Sequence, residues 1–204
     1  MNKFFVSAIG TDSGKTVVSA IICEALRADY WKPVQCGFPR DLETVQSLVQ
    51  DPQCNFYEEQ YLLNTPASPH AAAKIDGVAL SVADFNLPAT NNNLVIEGAG
   101  GLLVPLNDTE NIVDLITHFD AEVILVSNLY LGNINHTLLS VEALQNRNLK
   151  VKGIIFNGDE NKESESIILK RSGYTCLLNI PREDKINPET VVSYANELRA
   201  KWKI

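Results

Sequence analysis

Apolar residues along the chain fall into two rhythms. Six short runs are apolar at mostly consecutive positions: "KFFVSAI" from Lys3, "YWKPVQ" from Tyr30, "NLVIEG" from Asn93, "AEVILVS" from Ala121, "KGIIFN" from Lys152 and "TCLLNI" from Thr175. Strands that read this way bury both faces, as in a parallel sheet. Between the runs, residues 17–27, 42–50, 133–146, 164–171 and 188–202 carry apolar positions at helical spacing. Strands alternating with amphipathic helices predict an α/β fold, a mostly parallel sheet with helices on both faces. Residues 67–93, with their prolines and the "NNN" run, are the least regular and predict long surface loops. With no repeat, linker or long charge block, residues 1–204 are expected to form one domain.

An open parallel sheet holds its ligand beyond the carboxyl ends of its strands, so the residues just after each apolar run matter most. After the first run comes "GTDSGKT", Gly10 to Thr16. A glycine-bearing loop between strand and helix binds phosphate because its N–H groups point inward and the helix N-terminus adds partial positive charge. The usual pattern sets four residues between the glycines, whereas only Thr11, Asp12 and Ser13 separate Gly10 from Gly14. The shorter loop wraps fewer phosphate oxygens, yet the turn that enters the helix is complete. Lys15 is placed to reach the β- and γ-phosphates, and the Thr16 hydroxyl to ligate Mg²⁺. The loop predicts a P-loop NTPase-like fold that binds ATP with Mg²⁺.

Four further residues at or near strand ends carry chemistry. Lys32 lies inside an apolar run, where an ammonium is costly unless it meets an anion; it is either an edge lysine reaching solvent or a second cation for phosphate or a substrate carboxylate. Glu97 follows three apolar residues and is expected at the strand end, where a carboxylate holds Mg²⁺ directly or through water. The glycines after it, Gly98, Gly100 and Gly101, allow close approach by a ligand. Asp41 opens a helical segment, either as its N-cap or as a metal-side acid facing Glu97. Asn157 is either a turn residue or a reader of an adenine edge, since its amide offers both donor and acceptor. His70 and His136 are lone histidines near loops and receive no catalytic role.

Charge narrows the partners. A formal net charge of −8 argues against nucleic acid, which needs a basic face, but leaves ATP open because local lysines and a metal outweigh a distant field. The four cysteines form no C-x-x-C pair and are expected as reduced thiols. No apolar run approaches membrane-spanning length, and a chain that opens directly into a strand is expected in the cytoplasm.

The pieces "IGTDSGKT", "KPVQCG", "ASPHAAA", "EGAGGLLVP", "LGNINH", "FNGD" and "NIP", in this order from residue 9 to residue 181, resemble dethiobiotin synthetase, the ATP-dependent family that closes the ureido ring in biotin synthesis. The resemblance implies that 7,8-diaminononanoate and CO₂ are the substrates and that Lys32 and Lys15 are the catalytic lysines. It implies a nucleotide site made by Asp12, Ser13, Gly14, Lys15, Thr16, Val17, Asp41, Glu97, Gly98, Ala99 and Gly100. Thr16, Asp41 and Glu97 are its metal-side groups, while Asn157, Gly158, Pro181, Arg182 and Glu183 resemble its adenine-recognition segments. Substrate contacts are implied for Thr11, Lys32 and Cys36, and for Leu131, Gly132, Asn133 and Asn135 in a loop that reaches across a homodimer. Two departures stand out: family members commonly have a longer phosphate loop, with an acid inside it, and Ser or Thr at the position of Cys36. The loop and "EGAGG" alone also fit a related amidoligase-type ATPase or a non-enzymatic nucleotide switch. Such switches usually add a second loop lysine and a basic or membrane-binding segment, neither of which this acidic chain has.

Overall fold

The computed structural model describes residues 1–202. In chain order the first half runs β1 (Lys3–Ala8), α1 (Lys15–Leu26), β2 (Asp29–Trp31), β3 (Val34–Cys36), α2 (Asp41–Leu48), β4 (Phe56–Tyr57), β5 (Tyr61–Leu63) and α3 (Pro69–Asp76). After a 3-10 turn at Val82–Asp84 come β6 (Leu94–Gly101), α4 (Ile112–Phe119), β7 (Glu122–Asn128), α5 (Asn133–Gln145), β8 (Val151–Asn157), α6 (Lys162–Ser172), β9 (Cys176–Ile180) and α7 (Pro188–Trp202). Seven strands make one sheet in the order β4-β2-β6-β1-β7-β8-β9, and every neighbouring pair is parallel.

Both faces of the sheet are covered, which is why its strands are apolar at consecutive positions. Phe4, Val6 and Ala8 of β1 join an apolar cluster with residues of α1, α2 and α7, while Phe5 joins the opposite cluster with residues of α3, α4, α5 and α6. Fully buried side chains such as Ile21, Ile96 and Leu115 each stabilise the fold by about 1.5–3 kcal/mol relative to exposure.

Two expectations about strands are corrected. The run "YWKPVQ" is two strands rather than one: β2 ends at Trp31, and β3 pairs with β5 in a separate two-stranded sheet. Pro33 has no N–H to continue the ladder, so the chain leaves the main sheet at Lys32. Likewise β6 does not end at Glu97 but continues to Gly101, with an irregularity opposite β1 between Val6 and Ala8. Residues 67–93 hold α3 and the 3-10 turn among their loops.

Candidate active site

The strand order sets the site. From β1 the chain moves through α1 to β2 on one side, then returns through β6 and crosses by α4 to β7 on the other. The carboxyl ends of β1, β2 and β6 thus open together, and a cavity of about 740 Å³ lies above them. Gly14 caps α1 in the left-handed conformation, φ 88°, and Lys15 is the first helical residue. A Cβ on Gly14 would stand 2.3 Å from the Asn157 amide nitrogen, so both the backbone angle and the space call for glycine. The loop is tied down at Ser13: its hydroxyl donates to Asn128 Oδ1 at 2.8 Å, and its carbonyl accepts from Asn157 Nδ2 at 2.9 Å. Lys15 Nζ folds back to donate to the Gly10 carbonyl at 3.3 Å.

A chain of charges crosses the cavity floor. Lys32 Nζ donates to Asp41 Oδ2 and, at 3.2 Å, to Glu97 Oε1. The same Glu97 oxygen accepts from the Thr16 hydroxyl at 3.0 Å, and Glu97 Oε2 accepts from Tyr30 at 3.0 Å. The side chains of Lys32 and Glu97 are 6% and 0% exposed, against 30% for Asp41. Lys32 is therefore not an edge lysine reaching solvent; it meets anions. Its burial opposes the charge, but Glu97 and Asp41 more than offset this and hold its pKa above the ordinary lysine value. Burial wins at Lys15, whose pKa is lowered although Glu97 pulls the other way. Burial and the nearby Glu97 charge push Tyr30 well up, so its phenol remains a donor. The Cys36 thiol is pushed up to about 11, chiefly by burial.

Thr11, Asp12, Ser13, Gly14, Lys15 and Thr16 line the cavity together with Lys32, Cys36, Asp41, Glu97, Ala99 and Gly100. Val17 and Gly98 do not line it; Gly98 backs onto Phe5, whose ring would meet a Cβ at 2.7 Å. Asp41 is the first residue of α2 rather than its N-cap, which is Arg40. Asn157 sits under the phosphate loop, while Gly158 and Pro181 border a second hollow of about 620 Å³ with Leu129 and Phe156. Arg182 and Glu183 are exposed beyond β9, and Glu183 accepts from Tyr194. Leu131, Gly132, Asn133 and Asn135 form the start of α5 and the turn before it, outside the main cavity; Leu131 is fully exposed and Asn133 is buried.

Sequence reasoning missed Tyr30, Gln35, Asn128 and the wall from Pro66 to Pro69. Gln35 lines the cavity and donates to the Gly37 carbonyl at 3.1 Å. Asn128 was within reach of the strand-end rule, since it closes β7; Tyr30 was not, because its ring reads as core and only its hydroxyl reaches the site.

The fold and the loop define a nucleotide-binding α/β protein of the P-loop kind. A family described as an AAA domain matches residues 2–190. MinD of Pyrococcus horikoshii, solved in complex with Mg-ADP, shares the fold with a TM-score of 0.57 at 13% identity, covering 100% of this chain and 99% of that one. In sequence the chain is 56% identical to the ATP-dependent dethiobiotin synthetase BioD of Cytophaga hutchinsonii, over 99% of each chain. It is 50% identical to that of Christiangramia forsetii, over 97% of this chain and 96% of the other. The chain belongs to the ATP-dependent dethiobiotin synthetase family.

Proposed function

We propose that the chain is a single ATP-dependent cyclo-ligase domain, and that its main cavity carboxylates 7,8-diaminononanoate with CO₂ and closes the product to dethiobiotin. The observation that carries this reading is the convergence of Thr16, Lys32, Asp41 and Glu97 in one hydrogen-bonded chain beside Lys15. Family membership supplies the reaction. One amine takes up CO₂ to give a carbamate, whose oxygen attacks the γ-phosphorus of ATP and releases ADP. The second amine attacks the carbonyl of the resulting carbamic–phosphoric anhydride, forming the ureido ring and expelling phosphate.

Phosphoryl transfer asks for positioning and charge stabilisation rather than a protein nucleophile. Lys15, held at the loop, supports a role at the β- and γ-phosphates, and Lys32 one at the transferring group and the carbamate. Loop N–H groups and the start of α1 add fixed donors for the anion. The donors opposite Lys15 are hard oxygens, the Thr16 hydroxyl and the carboxylates of Asp41 and Glu97, a set that suits Mg²⁺. Among the described residues no group of three or more His, Cys, Asp or Glu is placed to hold a metal ion by itself, and the proposed Mg²⁺ would need phosphate oxygens to complete its shell. When bound there, Mg²⁺ supplies charge neutralisation across the phosphate tail. Gly158 and Pro181, at the second hollow, support a place for the base, and Arg182 and Glu183 follow Pro181 in the chain. Leu131, Gly132, Asn133 and Asn135 support a contact to the substrate's carboxylate tail across a homodimer. Among the described residues no helix is long and apolar enough to cross a membrane; the family's biosynthetic role supports a cytoplasmic setting.

The purified protein given ATP, Mg²⁺, bicarbonate and the diamine is expected to release phosphate and form dethiobiotin. Lys32→Ala should lower kcat at least a hundredfold, about 2.7 kcal/mol on the transition-state scale, with the fold checked by thermal melting. Near-normal turnover in that variant would place Lys32 outside the chemistry, and no phosphate release by the wild type would favour a related amidoligase-type ATPase.

A further inference from the structure

Glu97 has two oxygens with different neighbours. Oε1 faces the loop and takes both Thr16 and Lys32, whereas Oε2 takes the phenol of Tyr30 alone. Strand register explains how Tyr30 gets there. Tyr30 pairs with Val95 across β2 and β6, and Glu97 lies two residues further along β6, so both side chains leave the same face of the sheet. Tyr30 is 0% exposed and belongs to the apolar cluster containing Val6, Ile22 and Val95. A ring locked in a packed core has a hydroxyl at a fixed point, whereas a glutamate carboxylate turns freely about its last bond.

We propose that Tyr30 is a positioning residue: its buried hydroxyl pins Glu97 Oε2, so that Oε1 alone is presented to Thr16, Lys32 and the divalent cation that accompanies ATP. The inference rests on the proposed role of Glu97 as a metal-side acid. The metal shell is held indirectly, by a side chain on a neighbouring strand that touches neither substrate nor phosphate. Lys32 follows Tyr30 by two residues and lies just past the end of β2, so one short stretch of chain delivers both the cation that shares the acid and the phenol that orients it.

The test compares affinity for a non-hydrolysable ATP analogue, by calorimetry, with and without Mg²⁺, in the wild type, Tyr30→Phe and Tyr57→Phe. Tyr30→Phe keeps the ring and deletes one oxygen. Tyr57→Phe is a matched control that loses a phenol-to-carboxylate bond of 3.1 Å to Asp29, away from the cavity. The gain in affinity conferred by Mg²⁺ is expected to fall about tenfold in Tyr30→Phe, 1.4 kcal/mol, and to stay at the wild-type level in Tyr57→Phe. Mn²⁺ binding in the presence of the analogue, read by electron paramagnetic resonance, should weaken in parallel in Tyr30→Phe alone. A Tyr30→Phe protein that melts earlier yet keeps the full Mg²⁺ gain would overturn the proposal and leave Tyr30 a core residue. A wild type with no Mg²⁺ gain would instead overturn the metal-side role of Glu97, and this inference with it.

Discussion

Asp29 is 0% exposed at the start of β2, and five donors meet its carboxylate. Oδ1 takes the backbone and side chain of Asn55 at 2.9 and 3.1 Å and Asn92 at 3.1 Å; Oδ2 takes Tyr57 at 3.1 Å and Thr90 at 2.7 Å. Burial raises the pKa, but the bonds from Thr90, Asn55 and Asn92 together hold it below the ordinary value. A depressed carboxylate pKa stabilises the fold above the unfolded value, near pH 4, and that contribution fades as pH falls through the folded pKa. Asp29→Asn turns one acceptor oxygen into a donor facing donors. It should cost about 2–3 kcal/mol at pH 7, and the gap from wild type should narrow below pH 4 in urea melts. An equal gap at both pH values would show that the carboxylate charge contributes nothing.

At the scale of elements, α5 and the turn before it present Tyr130, Leu131 and Leu139 at 44%, 103% and 55% exposure. Apolar side chains this exposed suit an interface, such as the one proposed above with a second copy. Leu139→Glu should shift the proposed homodimer toward monomer in sedimentation velocity while leaving the melting temperature of the fold nearly unchanged, since an exposed substitution costs little within one chain. A wild type that sediments as a monomer would end that reading. Elements differ in how plainly the sequence shows them. The buried strands β1, β7 and β8 and the helices α1, α5 and α7 announce themselves, because burial on two faces or one stripe leaves little freedom of composition. Strands β4 and β5 are two and three residues long, too short for any period to register. Helix α4 is legible in the sequence: Ile112, Val113, Leu115, Ile116 and Phe119 are all buried at helical spacing, and Asn111 with Asp114 forms a capping box. In α3 the apolar signal is small alanines between proline and glycine, which read as loop. The phosphate loop and both lysines were visible as residue types at strand ends. The bracing of Ser13 by Asn128 and Asn157, and of Glu97 by Tyr30, joins residues 115, 144 and 67 positions apart, and no local pattern encodes such pairings.

Across the whole molecule, a chain of net charge −8 gathers two lysines at one crevice, where the carboxyl ends of β1, β2 and β6 meet. Asp12, Asp41 and Glu97 line the same cavity and offset those lysines, so the proposed triphosphate site relies on the loop N–H groups, the start of α1 and an accompanying cation as well as on lysine charge. The parallel sheet brings Lys15, Lys32, Asp41 and Glu97 together from four separate stretches of chain, and the two acids give the lysines a partner before ligand arrives. In the proposed function these groups surround one magnesium-bound triphosphate tail. A crystal structure with a non-hydrolysable ATP analogue and Mg²⁺ tests it most directly. Lys15 and Lys32 are expected against the γ-phosphate, with Mg²⁺ flanked by Thr16, Asp41 and Glu97. A phosphate tail bound elsewhere, or bound there with Lys32 and Glu97 turned away, would contradict it.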